Sequence, residues 1–191
     1  MTSTEAFLVS VSTISVAEIG DRTQLLSLVL SARYRQPLPI IAGILCATLA
    51  NHAAAGLIGN LFGDVLKPAT LQVAVGVSMI GMALWTLKPD SLDEGTVRTS
   101  AASAFVATLT SFFLAEMGDK TQIATVALAA AYPSLLAVIA GTTLGMLVAN
   151  VPVVVLGRAF ADRLPLKAIH YAASLLFLVL GVLFLVRVFR H

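Results

Sequence analysis

Ala17-Glu18-Ile19-Gly20-Asp21-Arg22-Thr23-Gln24 returns 98 residues later as Ala115-Glu116-Met117-Gly118-Asp119-Lys120-Thr121-Gln122. Both copies stand in apolar surroundings: Phe7 to Ala17 and Leu25 to Ala32 carry no charge, and neither flank alone is long enough to cross a bilayer. A crossing needs roughly 20 apolar residues, so the charged motif must lie inside the span that the two flanks make together. A central Asp, Lys or Arg costs about 2.5–3.5 kcal/mol on the insertion scale, and an aliphatic residue recovers only about 0.3–0.6. Three charges per helix therefore cost roughly 8–10 kcal/mol, which the apolar residues of the span at best offset. Charges kept at that cost point to a functional site facing a bundle interior.

The rest of the chain supports a membrane setting. Of 191 residues, 58% are hydrophobic and 12% charged, with a mean hydropathy of +0.94; soluble domains carry about 25% charged residues. A net charge of +2 without a Lys/Arg run excludes nucleic-acid binding, and the single Cys46 excludes an internal disulfide and a thiolate metal site. Apolar windows predict six spans: Phe7 to Ala32, Ile40 to Phe62, Ala69 to Leu87, Ala101 to Ala131, Leu135 to Ala159 and Ala168 to Val186. Most prolines fall in or beside the connections, and Pro152 is the exception. The first segment reads as a retained helix, not a cleaved leader. Lys and Arg are biased to the side holding Arg33, Arg35, Lys88, Arg98, Arg158, Arg163 and Lys167, which predicts that side as cytoplasmic and both termini as extracytoplasmic.

The 98-residue offset also aligns Phe7 with Phe105, Tyr34 with Tyr132, Gly43 with Gly141, Gly59 with Gly157 and Asp64 with Asp162. Three spans per copy, an odd number, invert the second copy relative to the first. The expected fold is thus an all-α integral membrane protein, six transmembrane helices in two inverted three-helix repeats. Repeat 1 covers residues 1–88, a charged cytoplasmic connection 89–100, and repeat 2 residues 101–191. Inverted repeats of this kind recur in transporters, with the substrate site near the midplane.

On a continuous helix Glu18 and Asp21, at i and i+3, share a face that Gln24 extends, and Glu116, Asp119 and Gln122 do the same. If the repeats bring the motifs together, four carboxylates converge at one depth, an oxygen-rich site for a hard divalent cation. With Arg22 and Lys120 the group sums to −2, which one divalent cation or two protons neutralise. Gly20 and Gly118 suit close helix approach or a local break. The plainer alternative is a pair of local i, i+4 ion pairs, Glu18 with Arg22 and Glu116 with Lys120. Thr23, Gln24, Thr121, Gln122, Asn51 and Asn150 are further candidates as ligands or as supports of the ligands, set against ordinary interhelical hydrogen bonding. His52, which the offset pairs with Asn150, could relay protons; Asp64 and Asp162 read as interfacial, and the Gly59/Gly63 and Gly141/Gly145 spacings as packing surfaces.

These two hexapeptides, Glu18 to Thr23 and Glu116 to Thr121, resemble the cation/proton antiporters marked by twin Glu-x-Gly-Asp-(Lys/Arg)-(Thr/Ser) motifs. That family includes bacterial manganese exporters of the MneA type and Golgi calcium/manganese transporters, and is grouped with LysE-like exporters. The resemblance implies export of Mn(II), or of Ca(II), from the cytoplasm in exchange for protons, with Glu18, Asp21, Glu116 and Asp119 holding the cation and Glu18 and Glu116 carrying the protons. No enzymatic role and no cofactor beyond the transported ion is expected. The expected partners are the cation, protons and the bilayer of a bacterial inner membrane, with a homo-oligomer left open. An exporter of a small organic cation or amino acid on the same scaffold, an intramembrane enzyme and a cation channel are the rivals.

Overall fold

In the computed structural model the described residues are 2–65, 68–86, 104–157 and 166–188, and they form helices and no strand. The helices are α1 (Ser3–Glu18), α2 (Arg22–Tyr34), α3 (Pro37–Val65), α4 (Pro68–Thr86), α5 (Ala104–Glu116), α6 (Lys120–Ala131), α7 (Leu135–Leu156) and α8 (Leu166–Val188). Local chemistry sets several of the ends. The Thr2 hydroxyl accepts the Glu5 N–H and caps α1. Arg35, at φ 51°, closes α2 in the left-handed conformation. Pro37 and Pro68 then open α3 and α4 where a missing N–H does no harm. α7 runs through Pro152 and ends at Gly157, φ 66°.

The first and fourth expected spans are not continuous helices. α1 stops at Glu18 and α2 starts at Arg22; α5 stops at Glu116 and α6 starts at Lys120. The break follows from the glycines, at φ 84° for Gly20 and 75° for Gly118, a conformation a Cβ disfavours by roughly 1–2 kcal/mol. In each break the Asp N–H returns to the Glu carbonyl at 3.1 Å, Asp21 to Glu18 and Asp119 to Glu116. Each Asp then takes the N-cap position of the following helix. This corrects the shared-face expectation: Glu18 and Asp21 sit on two different helices, as do Glu116 and Asp119.

The packing interlocks the two halves. α1 lies along α7 and α5 along α3, so each interrupted pair rests on the long helix of the other half, while α4 lies along α8. Glycines permit the close approach, and they do so equivalently in both halves. A Cβ on Gly141 would stand 2.7 Å from the Phe7 carbonyl oxygen and the Ser10 Cβ; one on Gly43 would stand 2.9 Å from the Phe105 carbonyl and 2.7 Å from the Thr108 Cβ. Phe105 and Thr108 are the 98-residue counterparts of Phe7 and Ser10. A Gly141→Val substitution is therefore expected to overpack the α1–α7 contact by about 1–3 kcal/mol. Thermal unfolding of the detergent-solubilised protein checks this, and an unchanged midpoint would contradict the packing.

Polarity is distributed the opposite way from a water-soluble protein. Leu8, Val29, Leu38, Leu84, Leu114, Ile123, Leu136 and Leu175, one on each helix, are exposed, whereas Glu18, Asp21, Glu116, Asp119, Lys120, Asn51, His52 and Asn150 are buried. A surface so apolar on every helix suits lipid. Two helical stretches, Pro37–Phe62 and Leu135–Leu156, are by themselves long and apolar enough to cross a membrane. The connection 89–100, Asp162 and the side chain of Asp64 lie outside the described residues, as do most of the basic residues that set the expected orientation.

Candidate functional site

The two breaks meet inside the bundle. Glu18, Glu116 and Asp119 each direct a carboxylate oxygen into a space where the three oxygens lie within 4.8 Å of one another, and all three residues are buried. One oxygen of each, Glu18 Oε1, Glu116 Oε1 and Asp119 Oδ2, has no hydrogen-bond partner. The other oxygens are held in place. Thr23 donates to Glu18 Oε2 at 2.5 Å, and Thr121 donates to Glu116 Oε2 at 2.9 Å. Each threonine thus fixes the glutamate from across the break and leaves its other oxygen without a partner.

Each cation pairs with the aspartate of the other motif. Arg22 donates to Asp119 Oδ1 at 2.9 Å, and Lys120 forms an ion pair with Asp21 Oδ1. Both pairs cross between the halves, which corrects the local i, i+4 alternative. The helix break is the physical reason: it turns the start of each second helix towards the other motif. Lys120 and Asp21 have side-chain exposures of 1% and 0%, whereas Arg22 and Asp119 stand at 34% and 3%. Two sequence-equivalent pairs thus differ in environment. Asp21, expected with the other three carboxylates, pairs with Lys120 and is not among the residues whose oxygens lie within 4.8 Å of one another.

The glutamines brace the breaks. Gln24 Oε1 accepts the Gly20 N–H at 2.9 Å and Gln122 Oε1 accepts the Gly118 N–H at 2.7 Å, which satisfies a backbone donor that the break frees. Their amide nitrogens reach the other half: Gln24 Nε2 donates to the Ala149 carbonyl at 3.0 Å, and Gln122 Nε2 approaches Asn51 Oδ1 at 3.5 Å. Ala149 and Asn51 are themselves 98 residues apart. Asn51 also donates to the Phe113 carbonyl at 3.1 Å, and Asn150 accepts from Ser27 at 2.8 Å. Thr23 and Thr121 therefore hold the glutamates, Gln24 and Gln122 hold the breaks, Asn51 contacts Gln122, and Asn150 joins α7 to α2. The cross-half pairing and the bracing role of the glutamines escape sequence reasoning, whereas of the two readings of Gly20 and Gly118, close approach or a local break, the structure shows the break.

Comparison of the sequence with known proteins identifies its family. A family model described as divalent cation/proton antiporter GDT1 matches residues 6–94 and 104–191, one segment in each half. A Vibrio cholerae serotype O1 protein named "Putative manganese exporter" is 52% identical over 91% of this chain and 87% of its own. A GDT1-like protein of Synechocystis is 26% identical, over 93% of this chain and 95% of its own. The Saccharomyces cerevisiae divalent cation/proton antiporter GDT1 is 24% identical, over 97% and 85%. No solved structure matches. The family is one of membrane cation transporters, not enzymes, and its model covers both motifs and nearly the whole chain: the protein belongs to the GDT1 family of divalent cation/proton antiporters.

Proposed function

We propose that this chain exports a divalent cation, Mn(II) in the first place and Ca(II) as the second candidate, from the cytoplasm in exchange for protons. The observation that carries the reading is the trio of unpartnered, buried carboxylate oxygens on Glu18, Glu116 and Asp119. Arg22 offsets the charge of Asp119, and the two glutamates beside that pair cannot both stay ionised with little solvation unless a further cation joins them. A hard divalent ion is one, and protons are the other, so the two occupancies exclude each other. All the donors in the trio are oxygens, which suits Mn(II) or Ca(II) better than softer metals. The name of the Vibrio cholerae relative supports manganese. Thr23 and Thr121 orient the glutamates, Gln24 and Gln122 hold the breaks open, and Asn51 tethers one glutamine. Glu18 and Glu116 carry the protons.

The six-span arrangement follows from counting α1–α2 and α5–α6 as one interrupted crossing each. Residues 1–88 and 101–191 are then inverted repeats joined by a cytoplasmic connection at 89–100, in a bacterial inner membrane with both termini outside. Interrupted helices meeting at mid-depth are a recurrent device for transporter sites. Departure from internal symmetry supports alternating access: Lys120–Asp21 is sealed while Arg22–Asp119 is partly open, and α4 packs on α6 whereas α8 packs on α1. In the opposite state the two ion pairs exchange environments.

In proteoliposomes, an imposed pH gradient is expected to accelerate Mn(II) movement against it, and Mn(II) movement to dissipate the gradient. A Mn(II) flux indifferent to a protonophore and to the gradient would identify a channel and overturn the exchange.

A further inference from the structure

Arg22 holds Asp119 with part of its guanidinium only. Arginine commonly grips a carboxylate with two parallel hydrogen bonds, but among the described residues a single nitrogen serves here: Nη2 donates to Asp119 Oδ1 at 2.9 Å. The Arg22 Nε–H is buried without a hydrogen-bond partner, and so is Asp119 Oδ2. A buried donor left unmet on a charged group is costly, so the engaged position is a poor resting place for this side chain. Arg22 is also the first residue of α2, an end at which the helix dipole disfavours a cation.

Lys120 is the first residue of α6 and meets the same dipole, yet it is placed differently. Its side chain is sealed at 1% exposure against an Asp21 at 0%, whereas 34% of the Arg22 side chain is exposed. Arg22, on its long flexible stem, has an open side to turn towards; Lys120 has none in this state. The aspartates differ as well. Asp119 belongs to the trio with Glu18 and Glu116, and Asp21 does not. The loosely held cation is thus the one that sits on a ligand of the candidate site.

We propose that Arg22 is an internal competitor of the transported cation: engaged on Asp119 it weakens metal binding at the trio, and turned outward it strengthens it. The inference rests on the cation-transport reading of the trio and concerns how that site releases its cargo. Three ionised carboxylates and an engaged Arg22 carry a net charge of −2, and the carboxylates alone −3. A metal ion bound by Glu18, Glu116 and Asp119 shares one carboxylate group with the engaged guanidinium, and two cations on one group repel strongly where water is scarce. Transport needs binding strong enough to load an ion and weak enough to let it go. A tethered positive charge that returns to Asp119 supplies the second half of that requirement.

The test compares the full-length protein with Arg22→Gln and Arg22→Met, two neutral replacements of different polarity, and with Arg22→Lys, which keeps the charge. Equilibrium binding of Mn(II) and of Ca(II) is measured in detergent at mildly alkaline pH, so that an Asp119 without its partner still binds as a carboxylate, and maximal exchange is measured in proteoliposomes. The neutral variants are expected to bind both ions at least about tenfold more tightly, a modest share of the repulsion between a divalent ion and a unit charge a few Å away, while maximal exchange falls. Arg22→Lys is expected to stay near the native affinity. A merely structural role moves affinity the other way, because a distorted trio binds more weakly. Unchanged or weaker binding by the neutral variants overturns the proposal, as does equal tightening by Arg22→Lys or tighter binding with undiminished exchange. Glu18→Gln separates the two readings: Mn(II) binding that survives it removes the trio as the cation site, whereas binding lost with Glu18→Gln and not tightened by the neutral variants sinks only the competitor.

Discussion

Glu18→Gln and Glu116→Gln are each expected to reduce Mn(II)/proton exchange by roughly 10²-fold, the upper range for loss of a group that supports metal affinity. The amide is nearly isosteric with the carboxylate and can still accept the Thr23 or Thr121 hydroxyl through its oxygen, so the local hydrogen bond survives. What disappears is a negative charge in a cluster of three and the ability to bind and release a proton. Because these oxygens crowd one another within 4.8 Å, removing one charge also relieves repulsion. Thermal stability should hold or rise while exchange is lost, and that opposite movement separates a functional residue from a merely structural one. Normal exchange by both variants would remove the trio from the transport path.

Lys120→Met is expected to be far more damaging to the fold than Arg22→Met. The Lys120–Asp21 pair is sealed from the surroundings, and breaking a buried pair by deleting one partner costs about 3–5 kcal/mol because the other charge is stranded. Arg22 is partly open, with a side-chain exposure of 34%, so its removal, although it too strands a buried aspartate, should cost less than that of the fully sealed lysine. Yield and thermal midpoint in detergent measure the contrast. The double variant Asp21→Asn/Lys120→Met, which removes both charges, should recover most of the stability lost by Lys120→Met alone. Equal damage from the two single substitutions would contradict the asymmetry between the pairs.

That contrast lies beyond the reach of the sequence, which presents Asp21-Arg22 and Asp119-Lys120 as equivalents. What is legible there is the duplication itself. Helix α1 ends at Glu18 and α5 at Glu116, α2 begins at Arg22 and α6 at Lys120, each 98 residues apart. Three of the four carboxylates singled out from their cost in a bilayer do converge. The breaks are blurred because a hydropathy window averages across the three residues between α1 and α2, and only Gly20 followed by Asp21, a residue suited to positive φ and then an N-cap residue, betrays them. The direction of the ion pairs is hidden for a different reason. Spacing of i, i+4 makes Glu18–Arg22 available on any continuous helix, and only the meeting of the two breaks offers Arg22 and Lys120 a partner in the other half. His52 shows the same limit: its unsatisfied imidazole is defined by the neighbours that the fold places around it, which no spacing in the sequence reveals.

Competition between metal and protons for the same oxygens can be read without any membrane. Titrating the purified, weakly buffered protein with Mn(II) should release protons as the metal binds, and the release should shrink in Glu18→Gln and Glu116→Gln and vanish when both are changed. Mn(II) binding without proton release, or release undiminished in the double variant, would contradict a shared carboxylate site.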